Sequence, residues 1–155
     1  MKKFALKFIA ACAVLAGAAG SIHAQTGTVN TALANPFVAF VQDANTNVVP
    51  NATVTWTILS GNGSLSSASN STLSSGLSSS TLTLGSVVGA NSASASVSGV
   101  PTPATFSATA VAGAPTQLAF TTQPSATGTA GADLAQFPVV TIRDSSGNTS
   151  PTATN

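Results

Sequence analysis

Residues 53–58 read Thr53-Val54-Thr55-Trp56-Thr57-Ile58, an unbroken alternation of threonines with large apolar side chains. Successive side chains of a strand point to opposite faces, so Val54, Trp56 and Ile58 share one face and the threonines the other. A strand with one apolar face needs a second layer to cover it. The indole in the middle of that face predicts a buried core pin. An exposed indole would instead suit sugar stacking, but the phase that Trp56 shares with Val54 and Ile58 favours burial.

Working outward, the same period recurs at Leu82 and Leu84, at Ala93, Ala95 and Val97, and at Phe106, Ala108 and Ala110. The continuous apolar run 37–41 predicts a central strand, with Phe40 in the core beside Trp56, Val54, Ile58, Leu82, Leu84 and Phe106. Turn-forming stretches rich in Gly, Asn, Asp and Pro separate these runs at 43–47, 61–63, 85–91 and 99–103. Regular short spacing between strand and turn signals predicts an all-β sandwich or barrel. The serine-rich stretch 66–80 reads as a loop followed by an exposed edge strand. Helical periodicity is confined to the N-terminal segment.

That segment has its own logic. Lys2, Lys3 and Lys7 precede an apolar run over 8–20 and a small, polar stretch over 21–24. This is the layout of a secretory signal helix, with cleavage expected after Ala24. The run is shorter than the roughly 20 residues that span a bilayer, so the mature chain is expected to be exported without an integral membrane segment. Ile9, Ala10, Ala11 and Cys12 look like a lipoprotein-processing box, but Val14 and Leu15 carry the apolar run past the cysteine, which disfavours lipidation.

Removing 1–24 reverses the charge argument. All three lysines leave, and Arg143 faces Asp43, Asp133 and Asp144, a net −2 where the whole chain is +1. One cation cannot neutralise the several phosphates that a nucleic-acid partner presents, which excludes that class.

The most informative feature is internal. QTGTVNTALANPFVAFVQD, from Gln25, returns as ATGTAGADLAQFPVVTIRD, from Ala126, at an offset of 101 residues. The alignment pairs Gly27 with Gly128, Leu33 with Leu134, Val38 with Val139, Asp43 with Asp144, Asn47 with Asn148 and Pro50 with Pro151. A period near 100 residues is the size of one immunoglobulin-like module. The expected organisation is a signal peptide over 1–24, a first module over 25–112 and the start of a second over 113–155. The second copy reaches Asn155 where the first has Val54, so it is expected to be incomplete. Gln117–Thr122 supplies a leading strand to the second copy that has no evident counterpart in the first.

Three stretches, PFVAFVQDANTNVVPNATVTWTILSGNGSLS, STLTLGSVVGANSASASVSG and ATFSATAVAGAPTQLAF, resemble the bacterial Ig-like group-one domains of invasin and intimin type adhesins. The resemblance spans nearly all of 25–155. It implies tandem immunoglobulin-like β-sandwiches in a surface or secreted stalk. Where that family carries a Thr-Asp-x-x-Gly turn, this chain has Thr72, Leu73, Ser74, Ser75 and Gly76, so a family metal contact at this turn is not implied here.

Candidate chemistry is sparse. Catalysis near neutral pH draws on His, Cys, Lys, Glu or Tyr beside a partner, and residues 25–155 contain none of these five. His23 falls in the signal segment. Serines abound without an adjacent base. Asp43, Asn45 and Asn47 have the alternate oxygen spacing that opens a calcium loop, but Val48 stands where that loop needs glycine and Val54 where it needs a bidentate Glu. An Asx-type turn is the simpler reading, with Asp43 and Asn47 bonding nearby amides. Asn51 and Asn70 open Asn-x-Thr triplets, a weak signal in a chain with a bacterial-looking leader. No enzyme activity, cofactor or metal is expected.

The functional expectation is a structural and adhesion module at a bacterial cell surface, partnered by neighbouring modules and by an unidentified protein or glycan. The alternative is a spacer or carbohydrate-binding module attached to a secreted hydrolase.

Overall fold

A computed structural model describes residues 25–151. The expected signal segment 1–24, with Cys12 and His23, lies outside the described residues. Within them the elements are strands and turns, with no helix. The chain divides into two compact units, the first ending at Val111 and the second beginning at Ala112.

The first unit holds β1 (Gln25–Thr28), β2 (Phe37–Phe40), β3 (Thr53–Ser60), β4 (Ser64–Leu65), β5 (Ser69–Ser71), β6 (Leu77–Ser80), β7 (Leu82–Thr83), β8 (Gly89–Val97) and β9 (Ala104–Val111). One sheet runs in the order β1-β9-β8-β3-β5, and the pairs β2-β6 and β4-β7 complete an immunoglobulin-like sandwich. β1 joins its sheet parallel to β9, while the other pairings are antiparallel.

The register explains how so small a core admits an indole. Trp56 lies opposite Ala95, and Phe106 lies opposite Ala93, so each large ring has a methyl for its cross-strand neighbour. Phe37 reaches across from β2 to stack on Phe106 with ring centroids 4.9 Å apart, and Trp56 tilts against the same ring at 5.5 Å. Val54, Trp56, Leu82, Leu84 and Phe106 are all buried. Ile58, the last member of the alternating face, is half-buried against the edge of this cluster.

Four expectations need correction. Phe40 is half-buried and does not join the core, because the two-residue period of β2 turns Phe37, Ala39 and Val41 inward and sends Val38 and Phe40 to the other face. An all-apolar run hides its phase, and Phe37 takes the place expected of Phe40. Nor is β2 central: among the described residues it pairs with β6 alone. The serine-rich stretch is more ordered than expected, with β5 on the sheet edge and β6 turning Ser78 and Ser80 into the interior. Ser80 Oγ is satisfied there by the Ser67 carbonyl at 2.9 Å, so a short hydroxyl does the work of a small core residue. Finally, the expected turn over 85–91 ends early, since β8 begins at Gly89 and Asn91 is buried within it.

The second unit holds β10 (Gln117–Thr122) and β11 (Val139–Arg143), antiparallel, with an irregularity between Phe120 and Thr122. Its apolar side chains stand open: Leu118, Phe120, Phe137, Val139 and Val140 are all exposed. A two-stranded ribbon has too little buried surface to form a core of its own.

Candidate functional site

The residues with chemical handles gather in three places. The first lies around the core indole. Trp56 Nε1 donates to Asn70 Oδ1 at 2.9 Å, Ser78 Oγ donates to the same oxygen, and Asn70 Nδ2 donates to the Ser79 carbonyl at 2.7 Å. One asparagine on β5 thus ties β3 to β6 and satisfies the polar end of the buried ring. Two residues on, Thr72 Oγ1 donates to the Val49 carbonyl at 2.6 Å and accepts from the Ala52 amide at 2.9 Å. The Asn and Thr side chains of the Asn70 triplet are therefore engaged inside the fold. Sequence reasoning singled out Asn70 only as a triplet. Its value as a partner for Trp56 comes from a pairing fourteen residues apart that no local pattern announces.

The second place is a pair of carboxylate turns. Asp43 accepts from the Asn45 amide at 2.8 Å, from the Asn47 amide at 2.9 Å and from Asn47 Nδ2 at 3.1 Å. Asp144 accepts the equivalent bonds from Ser146, Asn148 and Asn148 Nδ2, and a further one from the Gly113 amide at 2.9 Å. Ser150 Oγ then donates to the Gly113 carbonyl at 2.8 Å, so this glycine is held at both backbone groups. In each turn the side-chain amide of the asparagine lowers the carboxyl pKa first, helped by the backbone amides, and Asp144 falls to about 2. Both arrangements aim hydrogens at a carboxylate, where a cation would need converging oxygens. Asn47 gives its amide to Asp43 rather than to the backbone, which sharpens the Asx-turn reading.

The third place is surface relief on the first unit. A groove of about 430 Å³ runs beside β2 and β6, lined by Pro36, Val38, Leu73, Leu77, Asn70 and Ser79. A narrower, almost wholly apolar cleft lies on the other face of β2, between Ala39, Val41, Val54, Ala95, Val97 and Val100. Trp56 lines neither hollow and is 3% exposed, so its ring offers no face to a sugar. Among the described residues no three His, Cys, Asp or Glu side chains gather as a metal site would require, and no helix is long and apolar enough to cross a membrane.

Compared with known proteins, the chain matches no protein-family model and no curated protein. Solved structures do match. The D0-D1 domain pair of intimin superposes on 64% of this chain with a TM-score of 0.52 at 21% identity, and the D00-D0 pair on 57% with a TM-score of 0.51 at 24% identity. The match spans 52% and 43% of those two structures, about half their length. The fold is therefore that of the intimin Ig-like domains.

Proposed function

Taking that fold as the premise, we propose that the chain is an exported, non-catalytic structural and adhesion module of a bacterial surface or secreted protein, an invasin- or intimin-like stalk. Residues 25–112 and 113–155 are successive modules of the 101-residue period, and they hold a binding surface away from the cell. The observation that carries the reading is the likeness to two overlapping domain pairs of intimin, D0-D1 and D00-D0. The internal chemistry supports it, since the asparagine, threonine and aspartate side chains that could serve a reaction are spent on holding strands and turns together. The partner is a protein or glycan at a cell surface, met through hydroxyl- and amide-rich faces that carry little charge.

Protease treatment of intact cells producing the tagged full chain tests the proposal. Release of fragments beginning at Gln25, with cytoplasmic markers intact, is the expected result. Retention of the whole chain with residues 1–24 still attached, inside the cell, would overturn it.

A further inference from the structure

β11 and β2 hold equivalent places in the repeat, yet their edges differ. β11 pairs with β10, setting Leu118 opposite Ile142 and Phe120 opposite Val140. β2 pairs with β6, and among the described residues no strand lies along its other edge. The Val41 amide donates to the Gly76 carbonyl at 2.9 Å on the β6 side, so the strand period turns the amides of Val38 and Phe40 to the open edge. In the second unit the Arg143 carbonyl accepts from the Thr116 amide at 2.8 Å, and Arg143 is the counterpart of Gln42. The phase of β11 that is occupied is thus the phase of β2 that is open.

The side chains agree with the backbone. Val140 and Ile142 correspond to Ala39 and Val41, which are each 1% exposed and face the core of the first unit. A strand laid along β2 in the register of β10 would put a leucine and a phenylalanine, two residues apart, beside these two. The apolar cleft bounded by Ala39, Val41, Val54, Ala95, Val97 and Val100, about 10 Å³ in volume, lies at that place, a shallow apolar seam for side chains to cover. Repeat register and surface relief therefore converge on one site.

We infer that the open edge of β2 receives an extended segment of another polypeptide, antiparallel along 38–42, with two large apolar side chains at alternate positions laid over the mouth of the cleft. The chain's own residues at the matching offset do not suit the role, because Leu118 and Phe120 correspond to Gly17 and Ala19. Main-chain hydrogen bonds hold such a segment, and the two side chains select it.

The probe is a synthetic peptide with the sequence of 116–122, Thr-Gln-Leu-Ala-Phe-Thr-Thr, added to the isotopically labelled full chain. Amide exchange at Val38 and Phe40 is expected to slow by about tenfold or more. The same peptide with serine at the leucine and phenylalanine positions should have no such effect. Val38→Pro removes an edge-facing N–H and leaves the β6 pairing in place, so it should abolish protection of Phe40 by the peptide, whereas Val38→Ala should not. Circular dichroism confirms that both variants are folded, and the serine peptide keeps the test valid if the proline variant is not. Exchange unchanged by the peptide, equal protection by the serine peptide, protection confined to β11, or slow exchange at Val38 and Phe40 before any peptide is added would each overturn the inference.

Discussion

The turns at Asp43 and Asp144 start from the same pattern and reach different ends. Each closes on a carboxylate that accepts from an asparagine four residues on, and each strand before it carries apolar side chains at every second position. Yet Asp43 stays partly open to water, while Asp144 is 1% exposed because Gly113 lies against it. The strands differ in the opposite sense, with Ala39 and Val41 sealed by a core and Val140 open to solvent. Local pattern decides which way a side chain points. Whether it ends up buried depends on what the rest of the chain brings to that face.

The comparison breaks most severely at the indole. Trp56→Ala should cost the first unit about 3 to 5 kcal/mol in denaturant unfolding, a large part of a small domain's stability. Phe120→Ala, on the open ribbon, should stay within about 0.5 kcal/mol, and equal losses at the two sites would mean that the second unit has a core after all. Next in size, Asn70→Ala leaves Trp56 Nε1 and Ser78 Oγ without their acceptor and should cost about 1 to 3 kcal/mol, with the Trp fluorescence of the folded state changed.

A comparable effect follows at the turns, where a left-handed backbone is held by Gly147 in one and by Thr46 in the other. A β-branched residue is strained there, so Gly147→Thr should destabilise the second turn by about 1 to 2 kcal/mol, and Thr46→Gly should ease the first by less. The smallest effect is on protons. The Asp144 carboxyl is depressed from 3.8 to about 2, so what it contributes to stability is complete above about pH 4 and fades as pH falls towards 2. Carboxyl NMR titration should place Asp144 near 2 and Asp43 below 3.8, and Asn148→Ala should raise Asp144.

Much of the fold was legible where side chains alternate in kind. Val54, Trp56 and Phe106 declare their face because threonine or serine stands between them and the next apolar residue. The run 37–41 declares nothing, since an apolar residue fits either phase, and only the opposing sheet selects Phe37 over Phe40. Serines are equally mute. Ser78 and Ser80 are buried because Asn70 and Ser67 meet them, partners set by long-range pairing. Of the candidate site, the carboxylate turns could be read from Asp and Asn spacing. The unpaired edge of β2 among the described residues has no local signal and stands out only against β11, whose matching edge β10 occupies.

The parallel pairing of β1 with β9 has a mechanical consequence. Gln25 lies beside Ala108 and Thr28 beside Val111, so the first and last strands among the described residues of this unit run side by side in the same direction. Tension that draws the two ends apart loads this ladder lengthwise, and its rungs must yield together instead of opening one after another. Traction applied at Gln25 and Val111 therefore meets the first unit along its most resistant direction.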